Sequence, residues 1–237
     1  MNEKLYIAGP EVFLPDAIVN ASKQRMLCLR HGFQPLHPMD NNLDLGNKDK
    51  ETAMRIYRGD IAQDEEADII IANCNPFRGI CMDDGTAYEL GFGNALGKPS
   101  YGYVKELMSL ADRTVRDYPC KPWKGEMYVD QDGYLITDDF GTSINLMMEC
   151  GMSFRGGTLV EGSFEDCLKV IRKDLDSGKL TLVKERPSDA AKKMLARVRD
   201  WRKGRLGKSA DIERLEQSLV EAIDWLESSI CDSFHSH

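Results

Sequence analysis

Short apolar runs alternate with longer amphipathic segments along the first two thirds of the chain. Residues 4–8, Lys-Leu-Tyr-Ile-Ala, form a β-prone run closed by Gly9-Pro10, the punctuation expected where a strand gives way to a loop. The spacing predicts a helix over residues 16–30, with Ile18, Met26, Leu27 and Leu29 as its apolar contacts. A short strand over residues 33–36 and a polar loop over residues 37–42 follow, and residues 51–66 read as a second helix. Asp68-Ile69-Ile70-Ile71-Ala72 is a near-continuous apolar strand, the pattern of a strand covered on both faces and therefore of a parallel sheet. Residues 85–97 are expected to be helical, ending at Gly97, and residues 99–104 supply a fourth strand. This rhythm predicts an open, doubly wound, flavodoxin-like α/β sheet of about five mostly parallel strands with flanking helices.

From about residue 106 to 143 the alternation breaks down. Asp130-Gln131-Asp132-Gly133 is a turn signal between Met127-Tyr128-Val129 and Tyr134-Leu135-Ile136, which predicts a β-hairpin inside a long excursion. Residues 144–150 read as a short helix, and residues 163–175 as a helix opened by Ser163 with Glu165 and Asp166 in its first turn. The α/β domain is expected to span 1–176, with a helical extension over 177–237. Within that extension residues 184–208 carry ten basic residues against three acidic ones, and residues 211–232 seven acidic against one basic. Both stretches have helical apolar spacing, so a C-terminal helical hairpin with complementary charged faces is expected; a basic surface for a polyanionic partner is the other reading.

Composition narrows the function classes. The 237 residues are 42% hydrophobic and 30% charged, an ordinary globular balance that argues against a disordered or fibrous chain. A net charge of −8 disfavours broad binding of nucleic acid or anionic membrane and leaves a small, largely uncharged ligand easier to accept. No apolar run approaches the roughly 18 residues of a spanning helix, and the N-terminus has no signal-peptide pattern. Seven scattered cysteines with no C-x-x-C pair suggest neither a disulfide framework nor a zinc site, so a cytoplasmic protein without a metal is expected.

Ligands of an open α/β sheet sit at the carboxyl ends of its strands, near the switch point. That edge carries Gly9, Pro10, Glu11, Phe13 and Asp16 after the first strand, Asp40, Asn41 and Asn42 after the second, and Asn73, Asn75, Phe77, Arg78, Asp83 and Asp84 after the third. The first turn of the next helix adds Glu89. Paired carboxylates without metal ligands or a Ser/His pair suit glycosyl chemistry, in which one carboxylate attacks an anomeric carbon and another manages a proton. Glu89 is the natural nucleophile, kept ionised by the positive end of its helix; the alternative is that these acids only cap that helix. Gly91-Phe92-Gly93-Asn94-Ala95-Leu96-Gly97-Lys98 fits neither phosphate-binding motif, since its spacing is wrong and it lies inside a helix, so its small residues are read as helix packing. Tyr6 is a core aromatic or a site residue, Asp60 a solvated or a pocket carboxylate, and Asn145 a helix N-cap or a site residue.

Taken together, these residues resemble the nucleoside 2-deoxyribosyltransferase family over about residues 4–176. The resemblance is carried by Tyr6-Ile7-Ala8-Gly9-Pro10-Glu11-Val12-Phe13, Asp40-Asn41, Asn75-Pro76-Phe77-Arg78-Gly79, Asp83-Asp84-Gly85-Thr86-Ala87-Tyr88-Glu89-Leu90-Gly91 and Asn145-Leu146-Met147-Met148. It implies that Glu89 is the nucleophile, Tyr6 the tyrosine that orients it, Asp83 a carboxylate contacting sugar or base, and Asp60 a further pocket carboxylate. Gly9, Phe13, Asp16, Asp40, Asn41, Phe77, Asp84, Asn145 and Met147 are then substrate-binding. Asn145 would reach a neighbouring subunit's site in a homo-oligomer, a dimer or trimer of dimers. The implied reaction exchanges the purine or pyrimidine base of a 2′-deoxynucleoside through a glutamyl-deoxyribosyl ester, with no cofactor, in nucleoside salvage. An N-glycoside hydrolase on the same framework and a non-catalytic nucleoside-sensing module are the alternatives. The related nucleotide hydrolases tend to have a glycine- and serine-rich phosphate loop after the first strand; Glu11 in that place favours nucleosides.

Overall fold

The computed structural model describes residues 2–40, 48–125, 127–137, 139–182 and 216–224. The chain divides into two units, Met1–Leu182 and Val183–His237. In the first, five strands form one parallel sheet: β1 (Lys4–Ala8), β2 (Gln34–Leu36), β3 (Ile69–Asn73), β4 (Ser100–Val104) and, late in the chain, Leu159–Glu161. The late strand is β8, because a second sheet of three antiparallel strands, β5 (Cys120–Pro122), β6 (Tyr128–Asp130) and β7 (Leu135–Ile136), precedes it. The main sheet runs β2-β1-β3-β4-β8, and β1 pairs in parallel register with β3 from Leu5↔Ile69 to Ala8↔Ala72. The chain reverses its direction of travel across the sheet between β1 and β3, so the switch point lies between their carboxyl ends. The doubly wound, flavodoxin-like expectation holds.

Strands with apolar residues at consecutive positions need cover on both faces, and two clusters provide it. One joins Leu5, Ile7, Ile69, Ile71 and Tyr101 to α1 (Ala17–Arg30) and α6 (Phe164–Asp176) through Cys28, Cys167, Leu168 and Ile171. The other joins Tyr6, Ala8, Ile70, Ala72 and Val104 to Leu90 of α3 (Asp84–Ala95) and Met152 of α5 (Leu146–Phe154). The α2 helix (Lys50–Glu66) packs beside α3. A side chain on Gly93 would come within 1.8 Å of Ile70 Cδ1, so this glycine lets α3 lie close on β3, as the small-residue reading expected. Gly97, at φ +80°, follows the end of α3 in the left-handed conformation that glycine adopts without strain.

Two expectations are corrected. The first helix forms where expected but in a different phase: its buried residues are Ala21, Gln24 and Cys28, Leu27 packs at the margin, and Ile18, Met26 and Leu29 are 73%, 54% and 56% exposed. Gln24 can be buried because its Oε1 meets His37 Nε2 at 3.1 Å. The excursion holds, besides its hairpin, a helix α4 (Leu110–Asp117), concealed by Arg113 on its buried face. That guanidinium is satisfied by the carbonyls of Ser143 and Glu106. The first unit runs to Leu182: Leu180 is buried in the α1/α6 cluster and Leu182 packs against it. In the second unit residues 216–224 are helical; the rest of the expected hairpin lies outside the described residues.

Candidate active site

Tyr6 stands in the middle of β1, fully buried, on the face covered by α2, α3 and α5. Its hydroxyl donates a 2.6 Å hydrogen bond to Glu89 Oε1, which projects from α3 toward the switch point. Burial and the carboxylates nearby hold the Tyr6 phenol well above its ordinary pKa, so at neutral pH it keeps the proton it donates to Glu89. Glu89 is pushed up to about 8, first by desolvation, then by the charges of Asp60, Asp64 and Asp83, while the Tyr6 hydrogen bond pulls the other way. This corrects the expectation that the helix dipole keeps Glu89 ionised. Glu89 lies beyond the first turn of α3, where the dipole has faded, and burial among like charges dominates.

Asp83 is the N-cap of α3: Thr86 N and Oγ1 both donate to its Oδ2, each at 2.8 Å. The capping alternative is therefore true of Asp83, and its electrostatic reach to Glu89 is true as well. Asp60, on α2, acts on both Tyr6 and Glu89, so the structure sets Asp60 and Asp83 within electrostatic reach of the Tyr6–Glu89 pair. Sequence reasoning missed a further buried carboxyl nearby. Asp64, one helical turn after Asp60, is fully buried and also faces this group; its i, i+4 spacing from Asp60 was the available signal.

The lips of the crevice come from the loops after β1 and β3. Phe13 and Phe77 stack with centroids 5.5 Å apart and planes 16° from parallel, and the Arg78 guanidinium covers both rings, at 5.2 Å and 4.6 Å. Arg78 holds φ +52°, a left-handed conformation that a non-glycine residue adopts at a cost. Glu11, read from the sequence as a charge facing the ligand, turns back instead: its Oε1 accepts from Asn73 Nδ2 at 2.8 Å and Tyr103 Oη at 2.6 Å. Gly9 permits this fold-back, since a Cβ there would lie 2.1 Å from Glu11 Oε2.

The remaining sequence candidates hold other contacts. Asp40 pairs with Arg25 and accepts from His37 N at 3.1 Å, and Asp84 Oδ1 accepts from Gly85 N at 2.9 Å. Asp16 is the exposed N-cap position of α1. Asn145 is the N-cap of α5, its side chain accepting from Met147 N at 3.0 Å, and Met147 is exposed. Among the described residues no hydrogen bond ties Asn145 or Met147 to the Tyr6–Glu89 pair. Asn41 lies outside the described residues. Among the described residues no group of three or more His, Cys, Asp or Glu is arranged to hold a metal ion.

A tyrosine-held glutamate among carboxylates, set at the switch point of a parallel sheet, defines a doubly wound α/β protein with an acidic crevice. The family model described as nucleoside 2-deoxyribosyltransferase matches residues 5–147, and the chain belongs to that family. A 2-desoxiribosyltransferase from Leishmania mexicana is 30% identical with a TM-score of 0.54, covering 72% of this chain and 97% of that one. An uncharacterized protein of Schizosaccharomyces pombe is 29% identical over 187 residues, 72% of this chain and 87% of that protein. Among the described residues no helix is long and apolar enough to cross a membrane.

Proposed function

We propose that this protein exchanges the purine or pyrimidine base of 2′-deoxynucleosides by double displacement, with Glu89 as nucleophile. The observation that carries the reading is the 2.6 Å Tyr6–Glu89 hydrogen bond at the switch point of a chain of this family. In the first step Glu89 Oε forms a bond to C1′ while the C1′–N bond breaks. The bonding pair leaves on the base nitrogen, which takes a proton from an acid in the Asp60/Asp83 group. In the second step a nitrogen of the acceptor base attacks C1′, the ester breaks to regenerate the Glu89 carboxylate, and the acceptor's proton returns to that acid. Two inversions retain configuration.

Each side chain has a defined task in this scheme. Tyr6 holds one carboxylate oxygen and leaves the other for attack; desolvation makes the ionised carboxylate a stronger nucleophile at the cost of its ready ionisation. Phe13, stacked on Phe77 and still exposed, offers apolar surface for a base, with Gly9 and the exposed Asp16 in the same β1 loop. The absence of a 2′-hydroxyl favours the oxocarbenium-like transition state, and the chain's own residues supply every group the scheme uses, with no cofactor. A homo-oligomer in which Asn145 of one copy reaches its neighbour's site fits the exposed position of Asn145 and Met147 at the start of α5. The protein's place is then nucleoside salvage in the cytoplasm.

The test is to incubate the protein with 2′-deoxyinosine, with and without adenine or cytosine, and follow new nucleosides by chromatography alongside Glu89→Ala. Formation of 2′-deoxyadenosine or 2′-deoxycytidine, lowered at least about 1,000-fold in Glu89→Ala, is expected. Release of hypoxanthine unaffected by either acceptor would replace the transferase with a hydrolase. Binding without turnover would leave a nucleoside-sensing module.

A further inference from the structure

Asp64 is a buried carboxyl that the proposed reaction does not use. It is fully buried between α2 and α3, and among the described residues both its oxygens lack a hydrogen-bond partner. A Cβ built on Gly93 would lie 3.3 Å from Asp64 Oδ1, which places that oxygen against the turn of α3 that follows Glu89. A buried, unpaired carboxyl is costly, and an aliphatic side chain in this seam would be more stable. Lys98, close enough to favour the ionised form, spends hydrogen bonds on the carbonyls of Glu65, at 2.6 Å, and Ala67 at the end of α2.

We propose that Asp64 is a positioning residue for Glu89: set under α3 without a partner, it governs through its own charge, across the α2–α3 seam, how readily Glu89 becomes the nucleophile. The inference rests on the reading of Glu89 as nucleophile. The groups facing this seam are Asp60 and Glu65 on α2, Tyr6 on β1, Glu89 on α3, Asp83 at the α3 N-terminus and Lys98 after α3. Of these only Lys98 is a cation, and it opposes the effect. The Asp64 charge raises the cost of ionising both Glu89 and Tyr6, and Asp64 itself titrates at about 7, in the range where Glu89 gains its charge. A proton leaving Asp64 therefore makes Glu89 hold its own proton more firmly.

The experiment compares kcat/KM for base exchange from pH 5 to 9 in the wild-type protein and Asp64→Asn, which keeps the shape and removes the charge. The acid limb of Asp64→Asn is expected to move down by about 0.5–1 pH unit, giving about three- to tenfold higher kcat/KM at pH 6 with an unchanged plateau. A limb that stays in place, or a loss of equal size at every pH, would overturn the proposal, because a purely structural role gives that result. Carboxyl carbon NMR of the ligand-free protein supplies a readout independent of turnover. The Glu89 curve of the wild-type protein should show a second inflection where Asp64 titrates, and a simple one-proton curve would overturn the inference even if Asp64→Asn fails to fold. Absence of base exchange in the wild-type protein would remove the functional reading while the NMR titration still decides the coupling.

Discussion

Two tyrosines of the central sheet each donate a hydrogen bond to a helix carboxylate, on opposite faces and in opposite surroundings. Tyr101 on β4 reaches Asp174 of α6 at 3.0 Å, and Asp174 Oδ2 also accepts from Lys179 Nζ at 2.7 Å. Tyr6 on β1 reaches Glu89 of α3 at 2.6 Å, where the neighbours are Asp60, Asp64 and Asp83. On the α1/α6 face a buried carboxylate is matched by a phenol and an ammonium, the arrangement that fastens a helix to a sheet. On the α2/α3 face like charges crowd a carboxylate that has a phenol and no cation among its hydrogen-bond partners, an arrangement that costs stability and leaves an acid poised near neutrality. Same motif, same sheet: the second partner decides whether the pair is a clasp or a reactive site.

The largest expected effect separates the two tyrosines directly. Tyr6→Phe should lower kcat by about 10–100-fold with little change in unfolding midpoint, while Tyr101→Phe should leave kcat within a factor of about two and cost about 1 kcal/mol of stability. Steady-state kinetics and urea unfolding on the two variants make the check. Equal losses of activity in both would erase the distinction between the faces.

Next in size is the clasp itself. Asp174→Ala leaves the buried Tyr101 hydroxyl with only its long, 3.3 Å bond to Gly156 O and strips Lys179 of its partner, so a loss of about 1–3 kcal/mol is expected. Base exchange measured below the unfolding transition should be unchanged. A drop in kcat at full folding would mean that the α1/α6 face communicates with the crevice.

The same contrast explains what was legible in the sequence. Both faces of the sheet were readable, because apolar runs such as Ile69-Ile70-Ile71 repeat at the period of a strand and need cover on both sides. The catalytic candidates on β1 and α3 were readable as an ordered set of types, and Tyr6 and Glu89 meet although 83 positions separate them. The phase of α1 was not readable, because Gln24 can be buried only if His37, from a different element, supplies its partner. Asp64 and the fold-back of Glu11 were hidden for a related reason: burial of a carboxylate depends on which neighbours the tertiary structure supplies, and periodicity treats every Asp and Glu as solvated. The ionisation of Glu89 was misjudged because the sequence shows the helix end and not the three aspartates around it.

The smallest effect tests the cost of the crowded face. Asp64 and Glu89, at about 7 and about 8, both hold protons in the folded chain to higher pH than an unfolded carboxyl does. Between about pH 4 and 8 the folded state therefore binds more protons than the unfolded state, and their contribution to stability, full below pH 4, is lost as pH rises through that window. Asp64→Asn removes one of the two groups, so the fall in unfolding free energy between pH 5 and pH 6 should shrink by about 1 kcal/mol relative to wild type. Urea unfolding at the two pH values decides: parallel changes in wild type and Asp64→Asn would mean that Asp64 is solvated or paired in solution, and the α2/α3 face would then be as well satisfied as its opposite.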